Sequence, residues 1–146
     1  MIFPDCPGGQ PARRLPLLPV VCAVLVDADG RVLVTQRPAG KDHAGCWEFP
    51  GGKVEAGESP EMALVRELVE ELDIETATSC LAPCGFSTCV NADAHLLLLA
   101  FAIRKWRNIP RPREGQGLQW LPVNRLFALD MPPADRPLIG QIAAIL

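Results

Sequence analysis

A basic surplus is missing. Lys and Arg number 14 against 17 Asp and Glu, for a formal net charge of −3. Such a balance does not suit a duplex nucleic-acid binder, which carries clustered positive charge. No C-x-x-C pair occurs among the six cysteines, Cys6, Cys22, Cys46, Cys80, Cys84 and Cys89. The spacing of a structural zinc site is therefore absent. Several of these cysteines lie in apolar runs, where a thiol acts as a small hydrophobe. We expect a reducing, cytoplasmic compartment rather than a disulfide framework. No run reaches the roughly 18 apolar residues of a membrane span. Arg13-Arg14 ahead of LPLLPVVCAVLV has the look of a signal peptide, but Pro16 and Pro19 interrupt the run. No small-residue cleavage site follows before Asp27 either. An internal repeat and a regular βαβ alternation are both lacking, which argues against a doubly wound sheet.

What is present suits one globular domain of 146 residues, 49% hydrophobic and 21% charged. Residues 1–16, with four prolines and two glycines, read as a flexible tail ahead of a domain over 17–146. Val20–Val26 is a continuous apolar run that fits a buried strand. The Asp27–Gly30 turn and Val32–Gln36 complete a hairpin with it. A short strand follows at Trp47–Phe49, and Pro50-Gly51-Gly52 then breaks it and lets backbone approach a ligand closely. Ser59 caps a helix, Pro60 opens it, and it runs to Leu72 with Val65, Leu68, Val69 and Leu72 as the core stripe. Further strands are expected at Cys80–Cys89, His95–Ile103 and Gln119–Leu121. Val123–Leu126 reads as a helical turn, and a terminal helix runs from Pro137 to Leu146 with Leu138, Ile142 and Ile145 inward. The class is α+β.

The first helix carries Glu67, Glu70 and Glu71, at i, i+3 and i+4 on one side of it. The Glu67/Glu71 pair alone costs a helix about 0.2–0.5 kcal/mol. Such a cluster calls for a counter-charge, and a hard, oxygen-seeking cation such as Mg²⁺ suits it. These carboxylates lie off the core stripe, so the helix separates packing from chemistry. The most basic stretch, Arg104–Arg113 (RKWRNIPRPR), ends at Glu114. It reads either as a solvated loop or as an attractor of polyphosphate.

At this point a resemblance becomes specific. Gly52, five residues, Glu58, seven residues, then Arg66-Glu67-Leu68-Val69-Glu70-Glu71 matches the Nudix box. The wider stretch WEFPGGKVEAGESPEMALVRELVEEL and the later DMPPADRPLI are similar to the MutT-type branch. The resemblance implies a Nudix fold, a mixed β-sheet sandwiched between helices. It also implies Mg²⁺-dependent hydrolysis of a nucleoside triphosphate to monophosphate and pyrophosphate, with Mn²⁺ as a substitute. Metal ligands carry over to Glu67, Glu70, Glu71 and the Gly52 carbonyl, and Glu58 and Arg66 carry over as a supporting pair. Glu114, in REGQ, carries over to metal binding or to activating the water. Glu67 and Glu114 are both candidates for the general base. A monomer without membrane or duplex nucleic-acid partners is expected.

Two departures matter. Asp73 stands where the box has a glycine that ends the helix in a left-handed conformation. Asp135, in PPADRP, stands where branch members that clear 8-oxo-dGTP can use an asparagine to read the base. An ionised Asp only accepts hydrogen bonds; a protonated one also donates. The PPAD form also occurs in relatives acting on pyrimidine triphosphates such as CTP. The leading expectation is 8-oxo-dGTP diphosphatase activity that keeps oxidised guanine out of DNA, with a CTP- or dCTP-type pyrophosphatase as the alternative. A non-catalytic lesion-recognition module would have lost box glutamates, and all are present. Asp135 can otherwise cap the terminal helix. Arg37 matches a nucleotide-contacting position; Phe49 and Leu97 are candidates to wall the base pocket or to pack the core. His43 and His95 are too isolated to hold a metal.

Overall fold

The apolar run that opens the domain is buried on both faces because it becomes a central strand. The computed structural model describes residues 14–146. Up to position 13, the tail expected over residues 1–16 lies outside the described residues. At Pro16 the chain is already tied, its carbonyl accepting from His95 N–H at 2.9 Å. In order come β1 (Leu17–Leu25), β2 (Arg31–Gln36), β3 (Trp47–Glu48), β4 (Gly51–Lys53) and α1 (Pro60–Leu72). A 3-10 turn over Thr78–Cys80 follows, then β5 (Ala82–Val90), β6 (His95–Ile103), β7 (Gly117–Pro122), α2 (Val123–Leu126) and α3 (Arg136–Ile145).

The strands form two sheets, a mixed four-stranded one in the order β4-β1-β6-β5 and an antiparallel three-stranded one in the order β3-β2-β7. Strand β1 runs parallel to β6 and antiparallel to β4. Side chains alternate across it. Cys22, Val24 and Val26 join the core beneath α2 and α3, while Val21, Ala23 and Leu25 join the core beneath α1. The hairpin expected from β1 and β2 does not form beyond a single bridge, Val26 to Val32. Both edges of β1 are taken by β4 and β6, so β2 pairs with β3 and β7 in the second sheet. The strand expected from Cys80 starts at Ala82 because the 3-10 turn takes the preceding residues. Strand β4 was not expected at all, since its Gly-Gly sequence reads as a breaker.

Helix α1 begins as expected, with the Ser59 hydroxyl accepting from Met62 N–H at 3.1 Å and Pro60 in the first turn. Its inward face differs from expectation. Ala63, Leu64, Leu68 and Leu72 are buried, Val65 is half-buried and Val69 is exposed. On an ideal helix at about 100° per residue, Glu71 projects within about 20° of Leu64, two turns earlier. Glu71 and Glu67 therefore border the buried row, and only Glu70 points fully outward. The helix does not separate packing from chemistry. In α3 the buried residues are Leu138, Ile139 and Ile142; Ile145, in its last turn, is exposed. Among the described residues no helix is long and apolar enough to cross a membrane.

Asp73 ends α1 in the left-handed region, with φ 56° and ψ 33°, as its place in the motif implied. Its N–H reaches the Val69 carbonyl at 3.1 Å, and that of Ile74 reaches Leu68 at 3.3 Å. Glycine there would relieve a left-handed penalty of about 1–2 kcal/mol for an ordinary L residue. It would lose about 0.4–1 kcal/mol through a freer unfolded chain. Asp73→Gly is expected to stabilise the fold by up to about 1 kcal/mol, and Asp73→Val to destabilise it. Urea midpoints at unchanged slope check this; a less stable glycine variant would contradict it.

Candidate active site

The site is assembled around five consecutive residues, Glu48 to Gly52. In register, Gly51 and Gly52 lie opposite Cys22 and Val21 of β1. A Cβ on Gly51 would fall onto the Val21 carbonyl oxygen, and one on Gly52 onto the Glu67 carboxylate. Glycine is therefore required at Gly51, where backbone meets backbone, while at Gly52 a side chain would displace the Glu67 carboxylate. The Gly51 N–H donates to Glu71 Oε2 at 3.0 Å.

Arg66 binds the loop to the helix. Its guanidinium forks onto Glu58, at 2.7 and 2.9 Å, and donates to the Lys53 carbonyl at 3.1 Å. It also donates to Glu67 Oε1 at 3.0 Å and to Glu70 Oε2 at 3.3 Å. The paired arginine lowers the Glu58 pKa, chiefly through that side-chain hydrogen bond. Four acidic side chains thus share one cation, counting the looser contact to Glu55 at 3.9 Å with those to Glu58, Glu67 and Glu70.

Glu71 has no such partner. Burial first, then the charges of Glu114 and Glu67, push its carboxyl up to about 8, against the Gly51 N–H that lowers it. Glu67 is raised too, by burial first, with Arg66 opposing. Glu114 reaches this group from the 104–116 loop, which wraps the C-terminal end of α1. Arg111 N–H donates to the Leu72 carbonyl at 2.9 Å and Arg113 N–H to the Glu71 carbonyl at 3.0 Å. The basic stretch is thus partly a helix cap. Among the described residues, no three acidic, histidine or cysteine side chains yet converge on one point. The donor set fits a hard cation by chemistry: carboxylate oxygens in excess, one buried and charge-repelled, beside backbone carbonyls.

A cavity of about 190 Å³ opens at the cluster, with Arg37 and Lys41 facing Glu48, Glu71, Glu114 and Gln116. Neither His43 nor His95 lines it. Arg37 donates to Glu48 Oε2 at 2.9 Å and to the Asp42 carbonyl at 2.9 Å. The sequence reading missed Glu48. Its signal was an acidic residue between Trp47 and Phe49 in a short strand, which alternation turns away from their shared core. A separate recess of about 410 Å³ beside Trp106 and Lys105 contains none of the box glutamates.

Asp135 lies under the other end of the segment. It is 7% exposed and its Oδ2 accepts from Phe49 N–H at 3.0 Å. It makes no side-chain cap to α3, so the capping alternative fails. The Ser87 hydroxyl holds the Ala134 carbonyl next to it. Burial first, then Glu48, pushes its carboxyl up to about 7, with the Phe49 N–H and Arg37 opposing. Phe49 is buried in the same core as Leu98, with Leu96 and Val20 packed against it. Leu97 shares its face with Leu99 and Phe101, which belong to the opposite core. It cannot wall a pocket with Phe49.

Because the folded pKa of Asp135 is raised, the folded chain holds a proton that the unfolded chain releases between about pH 4 and 7. This stabilisation is full below the unfolded pKa and is lost as pH rises through about 7. The unfolding free energy of Asp135→Asn should fall less than that of the wild type across this window, as measured by urea titration. Parallel pH profiles would contradict the assignment.

Comparison with known proteins agrees with the geometry. A NUDIX domain model matches residues 16–142. The chain is 34% identical over 130 residues to the 8-oxo-dGTP diphosphatase of Escherichia coli K12, covering 86% of this chain and 95% of that one. It is 37% identical over 125 residues to the CTP pyrophosphohydrolase of the same organism, covering 86% and 91%. A solved MutT, from work on Aliivibrio salmonicida and Vibrio cholerae, superposes with a TM-score of 0.75 at 33% identity, covering 89% and 99%. The two sheets and their flanking helices are thus the Nudix fold, and the chain belongs to the Nudix hydrolase family, in its MutT-like branch.

Proposed function

We propose that this chain is a Mg²⁺-dependent nucleoside triphosphate pyrophosphohydrolase that converts 8-oxo-dGTP and water to 8-oxo-dGMP and pyrophosphate. The observation that carries the reading is the cavity itself, with Glu71 and Glu114 facing Arg37 and Lys41. The lining supplies both oxygen ligands and cations for phosphate oxygens. Glu67, Glu70, Glu71, Glu114 and the Gly52 carbonyl would hold the metal, with Mn²⁺ able to replace Mg²⁺. A bound divalent ion supplies neutralisation of the charge that develops on the phosphate. Arg66 holds Glu67 and Glu70 in place, while Arg37 and Lys41 orient the phosphate chain. Glu67 or Glu114 takes the proton of the attacking water.

The base is read at the other end of the segment. Near neutral pH, Asp135 with its carboxyl at about 7 exists in both forms. The carboxylate accepts from N7–H, which 8-oxoguanine has and guanine lacks; the acid also donates to O6. The 8-oxo-dGTP diphosphatases among the relatives support this reading. The similarity to a CTP pyrophosphohydrolase supports a second one, a pyrimidine triphosphate in the same site. A role in clearing the nucleotide pool, in a reducing cytoplasm, follows from the first.

With Mg²⁺, kcat/KM for 8-oxo-dGTP is expected to exceed that for dGTP, CTP and dCTP; faster turnover of CTP or dCTP would overturn the substrate assignment. Glu70→Gln should keep the fold and lose at least about 10–100-fold in turnover, the loss seen even for outer-shell partners of a metal. Wild-type turnover in that variant would refute the ligand assignment. Asp135→Asn should change relative kcat/KM across the nucleotide panel, and an unchanged ranking would remove Asp135 from base reading.

A further inference from the structure

Glu114 lies on an exposed loop, yet its place beside Glu71 is fixed by one neutral side chain. The Gln116 amide donates through Nε2 to the Glu71 carbonyl at 3.0 Å. Its Oε1 accepts from the Glu114 N–H at 2.8 Å. One planar group therefore touches the backbones of two metal-ligand candidates that come from separate elements. The geometry is possible because Gly115 turns the chain back in the left-handed region, at φ 73°. The other ties of this loop to α1 and its cap lie before Glu114, namely Asn108 Nδ2 on the Asp73 carbonyl at 3.2 Å, Arg111 and Arg113 N–H, and the Arg113 guanidinium on the Val69 carbonyl at 3.3 Å. Among the described residues, only Gln116 reaches back across Glu114 itself.

We propose that Gln116 is a positioning residue, which sets the separation of the Glu114 and Glu71 carboxylates by clamping their backbones. The inference rests on the reading of the site as a divalent-metal hydrolase. Gln116 lines the cavity with both carboxylates, but its amide oxygen is engaged by the Glu114 N–H and its amide nitrogen by the Glu71 carbonyl, so it aligns ligands rather than serving as one. Asparagine has the same amide on a stem one methylene shorter and cannot span both partners. Methionine has the length and neither hydrogen bond.

The test measures Mn²⁺ affinity by the EPR signal of free Mn²⁺, together with kcat and KM for a nucleoside triphosphate. Gln116→Met and Gln116→Asn are made alone and in a Glu114→Gln background, with melting curves to establish that each variant is folded. Alone, each should weaken Mn²⁺ binding and lower kcat by about tenfold or more, the range for outer-shell partners. KM for the nucleotide should change less than about twofold, because both ends of the Gln116 amide are engaged by backbone and leave the phosphate-binding cations Arg37 and Lys41 untouched. In the Glu114→Gln background either change should add less than about twofold, because no Glu114 carboxylate remains to be set against Glu71. Wild-type Mn²⁺ affinity and turnover in folded single variants would overturn the proposal. So would a full further loss in the Glu114→Gln background, which would give Gln116 a role independent of Glu114. A wild-type chain that neither binds Mn²⁺ nor hydrolyses a triphosphate would instead overturn the underlying reading of the site.

Discussion

Like charge held at short range is the constraint on which this molecule turns. Glu67, Glu71 and Glu114 repel one another, and their own fold keeps them from parting. Gly51 and Gly52 press the β4 backbone onto Glu71 and Glu67, and the 104–116 loop is stitched to the helix end beneath Glu114. Arg66 offsets part of that repulsion but is already divided among Glu58, Glu67 and Glu70. Glu71 is left with burial, three nearby carboxylates (Glu114, Glu67 and Glu48) and one N–H. A hard divalent cation is the counter-charge that such a set of carboxylates suits.

The same backbone segment joins the two halves of the site. From Glu48 to Gly52, successive residues meet Arg37, Asp135, Glu71 and Glu67. The proposed phosphate and base ends of the site thus lie on one short segment, paired with β2 at Glu48 and with β1 at Gly51 and Gly52. A shift of this segment would move both at once. Both ends of the proposed site therefore share one scaffold, while their side chains come from α1 on one side and from the approach to α3 on the other.

Much of this is legible in the sequence. The start of α1 was written in Ser59-Pro60, its end in the left-handed position of Asp73, and β6 in an unbroken apolar run. The Glu58–Arg66 pair was implied by the Nudix resemblance, and the close backbone approach by Pro50-Gly51-Gly52. What failed was non-local. The β1–β2 hairpin was inferred from a turn signal, but strand partners depend on which edges other strands have already taken. The face of Leu97 depends on the parity of β6 against β1, which no local pattern contains. The burial of Glu71 was in principle readable, since it lies two turns from Leu64. It was missed because Val65 and Val69 offered an equally periodic stripe. Glu48 and Gln116 matter through partners far along the chain, and neither is conspicuous by residue type.

The central claim is that the acidic cluster is completed by a divalent cation rather than merely tolerated. An ion that binds only the folded state stabilises it in proportion to the logarithm of its concentration once above its dissociation constant. Thermal unfolding at fixed ionic strength, with Mg²⁺ raised from chelated to millimolar levels, tests this directly. The account predicts a steady rise in midpoint for the wild type and little or none for Glu71→Gln. Midpoints that rise equally in both proteins, or in neither, would contradict it.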